Sequence, residues 1–400
     1  MKPSPVHGDP PGFRGGHSTA ASGLVDLVYY FSRLGTVGFG GPIALVGHMQ
    51  KELVEDRGWF SQQDYLQGLA FCQLSPGPLA AQLAMYLGWL HSGALGASLA
   101  GISFILPSFL IVVGMAEAYL RYGGLPWIQG AFYGIGAAVV AIIARSAIKL
   151  IRGTLGKDWL LWAIFCAMAL TTAWKNAEIV WLFILCGVVA MLWKVPLKPT
   201  ERSVLAWPAN LVNFVTGVHG VAPLATVFTL FLFFLKAGAF VFGSGLAIVP
   251  FLYGGVVNRF HWLNEQQFVD AVAVAMITPG PVVITAGFIG YLVAGLVGSV
   301  AAAIAVFAPP YFFVLLGAPY YRQFASTPRI KAFVGGVTAA AVGAIAGAAY
   351  ILARRSLIDL STLLIAAFTF AVLSFTKRIP EPLLIVSAGL AGTLMRGALR

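Results

Sequence analysis

Charged side chains are scarce in this chain of 400 residues, because Asp, Glu, Lys and Arg together make up only 10% of it. Apolar residues make up 59%, and the mean hydropathy is +0.86. A soluble protein of this length cannot bury so much apolar surface, so the composition predicts a polytopic membrane protein. Tracts such as 95–120 and 332–352 lack the strict alternation of barrel strands, so we expect an all-α bundle.

Groups for redox, metal or nucleophilic chemistry are also few. The three cysteines lie singly inside apolar tracts, without the spacing of a disulfide pair or a metal site. The histidines are scattered, and no nucleophile–base pair, phosphate-binding loop or cofactor motif is present. We therefore expect no enzyme activity, no cofactor and no metal.

The chain is nevertheless basic, with a formal net charge of +11. Its cations lie in short segments between apolar tracts, which is typical of the charge that orients membrane helices. We therefore expect the lipid bilayer, and not nucleic acid, as the partner of this charge. Residues 1–20 are rich in Pro and Gly and lack an apolar core, which predicts a disordered tail instead of a cleavable signal.

The stretch 31–78 is repeated in the second half of the chain. At an offset of 203 residues, 13 of its 48 positions recur identically in the second half. The matches include Trp59 with Trp262 and the Pro-Gly-Pro at 76–78 with that at 279–281. Because Gly, Pro and Trp make the strictest demands on backbone geometry, this pattern indicates an internal structural repeat.

Each copy contains predicted helix breaks. The first tract, residues 24–49, is interrupted near 35–42 by four glycines and a proline. Two short helices, 62–74 and 79–91, then flank the Pro-Gly-Pro. Each would be about 20 Å long, too short for a hydrocarbon core of ~30 Å. They predict a re-entrant pair, although one long kinked helix is the alternative.

These elements predict a tail (1–20), a first membrane repeat (21–194), a charged, Pro-rich linker (195–222) and a second membrane repeat (223–400). If the short pairs do not cross, each repeat has about five transmembrane helices. An odd number places the two repeats in opposite orientations. Inverted repeats with broken helices are a recurring plan of secondary transporters.

Two cations fall inside apolar tracts and not between them. Arg33 and Lys236 are 203 residues apart, and each precedes the glycine-rich break of its half. A cation at mid-membrane costs roughly 2.5–3.5 kcal/mol on insertion scales, so this symmetric pair suggests an anion site. Alternatively, either residue reaches an interface or pairs with a carboxylate such as Asp26.

The two Pro-Gly-Pro turns provide further candidate ligands. A helix that starts inside the protein presents free N–H groups and about half a positive charge to an anion. Alternatively, the turns are only hinges and packing notches. The expected substrate-binding residues besides the two cations are Gly40, Gly41, Ser75, Gly77, Gly243, Ser244, Thr278 and Gly280, and the expected hinges are Pro42, Pro76, Pro78, Pro279 and Pro281.

Three acidic residues in or near apolar tracts, Glu117, Glu178 and Asp270, are candidate proton carriers. Such residues more often cap helices or face a wet crevice.

The motifs GFGGP at 38–42, W-x5-Y from Trp59 to Tyr65 and SPGP at 75–78 resemble those of the chromate ion transporter family. The resemblance implies a multi-pass protein of the prokaryotic inner membrane that exports chromate and confers resistance. Ser244-Gly245 replaces Gly41-Pro42 in the second copy, so the halves need not contribute equally. Chromate and sulfate are tetrahedral dianions of similar size. Transport of sulfate or another oxyanion therefore remains open. Three further alternatives also remain open: an anion channel, a chromate reductase and a homodimer.

Overall fold

The computed structural model describes residues 23–39, 41–123, 125–175, 180–195, 223–240, 245, 248–321, 327–376, 379 and 381–398. The predicted tail, most of the predicted linker and the predicted site residues Gly40, Gly243 and Ser244 lie outside these residues, as does Glu178.

The described part of the chain is almost entirely helical. The first half contains α1 (Leu24–Val37), α2 (Gly41–Met49), a π-helical turn (Gln50–Asp56), α3 (Gln62–Leu74), α4 (Leu79–Tyr122), α5 (Pro126–Thr154), α6 (Trp159–Lys175) and α7 (Val180–Lys194). The second half contains α8 (Pro223–Phe240), α9 (Ile248–Leu252), a π-helical turn (Tyr253–Arg259), α10 (Glu265–Ile277), a 3-10 turn (Val282–Ile284), α11 (Thr285–Gly317), α12 (Pro328–Ser356), α13 (Leu360–Phe375) and α14 (Glu381–Ala398).

Within the described residues, four helical segments are long and apolar enough to cross a bilayer: Leu79–Tyr122, Trp127–Thr154, Val282–Gly317 and Pro328–Arg354. Five shorter apolar helices accompany them: Trp159–Trp174, Leu182–Lys194, Leu224–Phe240, Leu360–Phe375 and Glu381–Met395. The helical content and these spans agree with an all-α polytopic membrane protein.

The long segment α4 is a hairpin of two helices. Ser92 and Gly93 leave helical geometry, and Gly93 has a φ of +59°, which favours glycine. A Cβ on Gly101 would lie 3.0 Å from Cγ of Met85. In a straight helix these residues would be about 24 Å apart, so the chain reverses between them. The predicted separation of 79–91 from the tract that follows is therefore confirmed.

The second half reverses in the same way. Ala294 and Gly295 leave helical geometry inside α11, and the φ of Gly295 is +61°. The Ser299 hydroxyl donates a hydrogen bond of 2.8 Å to the Gly287 carbonyl, twelve residues earlier in the sequence. The two halves thus share a backbone conformation at corresponding positions. Their opposite orientation, and the re-entrant course of the pairs around Pro-Gly-Pro, stay predictions.

The halves exchange contacts reciprocally. The segments α4 and α11 pack against each other, α5 packs against α13 and α14, and α12 packs against α6 and α7. Small residues permit close approach: a Cβ on Gly134 of α5 would lie 1.9 Å from the Ala388 carbonyl oxygen of α14. The core is therefore shared by both halves, and neither half has a separate interior.

Candidate functional site

The two Pro-Gly-Pro turns lie at helix boundaries and dock across the two halves. Pro78 is the N-cap of α4, and Pro281 is the N-cap of the 3-10 turn before α11. Pro42 lies in the first turn of α2, where a missing N–H is tolerated. Pro76 and Pro279 lie within the turns themselves. The five predicted hinge prolines thus lie at helix starts or in the turns between helices.

The central glycine of each turn contacts the long segment of the opposite half. A Cβ on Gly77 would lie 2.7 Å from the Cβ of Pro310 in α11. A Cβ on Gly280 would lie 2.0 Å from Oγ of Ser108 in α4. Ser108 follows Pro107 in the sequence, as Pro310 follows Pro309, so each turn docks where a proline lies inside the opposite helix.

The amide of Gly280 is already occupied in this conformation. It donates a hydrogen bond of 3.0 Å to the Gly38 carbonyl, just after α1 ends. Ser108 donates its hydroxyl to the carbonyl of Gly35, one turn earlier. The second-half turn is therefore bonded to the broken first helix of the first half. The predicted use of the Gly280 amide for an anion requires this contact to open.

The hydroxyls of Ser75 and Thr278 are committed as donors as well. Ser75 donates to the Phe71 carbonyl at 3.0 Å, and Thr278 donates to the Val274 carbonyl at 2.7 Å. Because each hydroxyl has one proton, neither offers a further donor to an oxyanion here. Their lone pairs still accept hydrogen bonds, and Ser75 accepts one from Gln82.

The start of α4 is buried and lacks a side-chain cap. Leu79, Ala80 and Ala81 are 7%, 2% and 0% exposed, and the first intrahelical bond is that of the Gln82 amide to the Pro78 carbonyl. The amides of the first turn have no acceptor within their own helix. This geometry places the positive end of a helix inside the protein, as the sequence predicts.

Gln82 is a polar residue beside this helix start that sequence reasoning missed. Its side chain is fully buried, and its Nε2 donates to the Pro76 carbonyl at 2.7 Å and to Ser75 Oγ at 3.2 Å. Its Oε1 is buried and has no hydrogen-bond partner among the described residues. The sequence signal that could have identified Gln82 was the presence of a glutamine inside the apolar tract that starts at Leu79.

Arg33 lies on α1, and Lys236 lies on α8. Both are on exposed faces of their helices, beside exposed apolar residues such as Tyr29 (68%) and Phe228 (63%). The described residues form three ion pairs, and neither cation belongs to them. Asp26 accepts a hydrogen bond from the Gly23 amide at the start of α1. The role of this pair in anion binding stays a prediction.

A polar cluster near the first π-helical turn has an apolar counterpart in the second half. Arg57 forms an ion pair of 3.6 Å with Glu52, and its Cζ lies 4.8 Å from the ring centre of Trp59. In the second half, Phe260 replaces Arg57 and stacks on Trp262 with 4.4 Å between ring centres. In the second half the cation is instead Arg259, whose Cζ lies 5.1 Å from the ring centre of Phe260.

A buried carboxylate lies between the halves. Asp270 of α10 is 3% exposed and accepts a hydrogen bond of 2.8 Å from Tyr119 of α4. Gln266, one turn earlier, donates to the other carboxylate oxygen at 2.9 Å. Glu117, another candidate from the sequence, instead pairs with Arg121 at the surface and accepts from Tyr291. Of these two candidates, only Asp270 is enclosed by both halves.

Outside the spans, one loop carboxylate is held by a cation of a later helix. Lys194, at the end of α7, donates a hydrogen bond to Asp158, and this bond holds the pKa of the Asp158 carboxyl below its ordinary value. The contact joins the loop before α6 to the end of α7. It is a surface ion pair and is not part of the Pro-Gly-Pro turns.

Comparison with known proteins supports the resemblance seen in the motifs. The family described as "Chromate transporter" matches residues 25–191 and 228–393, one match in each half. A "Chromate transport protein" of Cupriavidus metallidurans is 52% identical over 377 residues, covering 94% of both chains. A protein of the same description from Pseudomonas aeruginosa is 30% identical, covering 91% of both chains. No solved structure matches this chain.

Proposed function

This chain belongs to the chromate transporter family, and we propose that it exports chromate from the cytoplasm of a prokaryotic cell by alternating access, which would confer resistance. The observation that carries the proposal is the family match across both halves, together with the reciprocal docking of the two Pro-Gly-Pro turns. A substrate site between two similar halves is typical of secondary transporters. The inner membrane is the location proposed.

The anion site is proposed at the buried start of α4. Its free amides attract negative charge, and the unpartnered Oε1 of Gln82 accepts a hydrogen bond from a bound water or from a protonated oxyanion. Opening of the Gly280–Gly38 contact would release a second amide toward the same anion. Arg33 on α1 and Lys236 on α8 are proposed as cationic ligands of the same anion.

The direction of transport is proposed from the membrane potential. Moving one charge through 100 mV is worth ~2.3 kcal/mol, so a dianion leaving a cell at about 150 mV gains roughly 7 kcal/mol. That free energy supports a concentration gradient of about 10⁵, at ~1.4 kcal/mol per tenfold. Efflux of chromate therefore needs no coupling ion, whereas uptake would.

Flux of labelled chromate into proteoliposomes at clamped voltage tests the proposal. We expect saturable flux that increases when the voltage draws anions across the membrane, with weak competition by sulfate. Sulfate flux that exceeds chromate flux would assign the chain to another oxyanion. Single-channel currents would identify an anion channel, and the formation of Cr(III) would identify a reductase.

A further inference from the structure

Asp270 is enclosed by both halves of the protein, and no cation among the described residues forms an ion pair with it. Its two hydrogen-bond donors, Tyr119 and Gln266, are both neutral. A buried carboxylate without a cationic partner is costly, and inside a membrane protein such a group is by default a functional site.

Several titratable groups on the elements packed against α10 have other partners. The contacts are Tyr133 with Asp359, Tyr291 with Glu117, Tyr311 with Ser98, His91 with Ser92, Tyr253 with Glu265, and Arg259 with Phe260. Arg145 and Lys149 act electrostatically on Glu381. Where Tyr119 reaches Asp270, its ring contacts Phe132 and Phe288, so the surroundings are apolar.

The corresponding place in the first half carries no acid. Gln67 precedes Asp270 by 203 residues, the offset of the repeat before the Pro-Gly-Pro. Tyr321 follows Tyr119 by 202 residues, the offset that also relates Pro107 to Pro309. A carboxyl is thus present in one copy only, at a position where the other copy has a neutral amide. An amide oxygen would accept a purely structural hydrogen bond as well as a carboxyl group does. The carboxyl adds the ability to take up and release a proton.

We propose that Asp270 is a proton-binding site that couples chromate movement to an opposite movement of protons. The inference rests on the proposed function and adds a coupling ion, which efflux driven by the membrane potential alone would not require. Asp270 takes a proton from one side of the membrane and releases it to the other as α10 moves relative to α4. Tyr119 and Gln266 are positioning residues, since they hold the carboxylate between the two halves by hydrogen bonds.

The test is chromate uptake into proteoliposomes at zero voltage, with the lumen one pH unit more acidic than the outside. If one proton leaves for each chromate that enters, the accumulation ratio increases about tenfold per pH unit in the wild type. In Asp270→Asn we expect flux that no longer responds to the gradient. Protonation of chromate itself affects both proteins equally and cancels in this comparison.

Glu117→Gln is the matched control, because Glu117 is an exposed carboxyl two residues from Tyr119 and has its own ion pair. It should keep the tenfold response. Tyr119→Phe leaves the carboxyl in place and removes one donor, so the pH–rate profile should move to higher pH. Asp270→Glu should restore a response to the gradient.

A tenfold response retained by Asp270→Asn, or a response lost by Glu117→Gln, overturns the proposal. If the Asn variant is not recovered folded, Tyr119→Phe decides, and an unchanged pH–rate profile counts against Asp270. Wild-type flux of chromate without any response to the gradient rejects proton coupling alone. Absence of flux for both chromate and sulfate rejects the proposed function as well.

Discussion

Replacing Gly280 with alanine tests whether the second-half turn is held in place by close packing. The φ of Gly280 is +96°, and a Cβ there would lie 2.0 Å from Oγ and 3.1 Å from Cβ of Ser108. A positive φ costs a non-glycine residue about 1–2 kcal/mol. Overpacking of a closely packed core adds typically 1–3 kcal/mol. We therefore expect Gly280→Ala to lower the free energy of unfolding by about 2–5 kcal/mol.

The chain offers a control that separates these two costs. Gly295 also has a positive φ, of +61°, but a Cβ on it would have open space around it. Gly295→Ala should therefore cost only the conformational part, about 1–2 kcal/mol. Ser108→Ala removes the atom nearest to the added Cβ. In a double-mutant cycle, Gly280→Ala should therefore lower the free energy of unfolding less when Ser108 is already alanine.

Thermal unfolding of the purified protein in detergent provides the measurement. The midpoint should fall furthest in Gly280→Ala, less in the double variant with Ser108→Ala, and least in Gly295→Ala. Equal midpoints for Gly280→Ala and Gly295→Ala would refute the reasoning, because the close contact with Ser108 would then carry no free energy.

Three further predictions concern the anion site and the surface. Arg33→Ala and Lys236→Ala should each abolish chromate flux. Expression should stay normal, since both side chains are exposed. Normal flux in both variants would remove them from the site. Gln82→Leu removes the unpartnered Oε1 beside the α4 start and should raise the chromate concentration for half-maximal flux at least tenfold, whereas Thr285→Val, 203 residues later, should not; equal effects would reject a role of Gln82 in the site. Asp158→Asn should lower the free energy of unfolding by less than about 1 kcal/mol at neutral pH, because both partners are about a third exposed. The pKa of Asp158 is lowered in the folded protein, so this difference should disappear as the pH falls through that pKa, and a difference that persisted in acid would contradict the ion-pair explanation.

The helix breaks could be predicted because they depend on short-range chemistry. Proline removes a backbone donor and restricts its neighbours, and glycine permits a positive φ, so Pro76–Pro78 and Gly93 interrupt helices whatever surrounds them. The repeat was visible for the same reason, since these residues recur at a constant offset.

The direction that each helix faces could not be predicted in the same way. In a membrane protein, apolar residues cover both the core and the outer surface, so periodicity alone does not identify the inner face. Only the structure shows that Arg33 and Lys236 lie on exposed faces of α1 and α8. Gln82 was missed because a single polar residue in an apolar tract does not indicate what it contacts.

The amino-acid sequence by itself determined the membrane class, the two similar halves, the broken helices and the family. These properties follow from composition and from the local backbone demands of proline and glycine. Only the tertiary structure decided that Gly280 bonds to Gly38 and that Tyr119 reaches Asp270 across 151 residues of chain. Such contacts join the two halves, and they depend on how whole helices pack against one another and not on any short stretch of sequence.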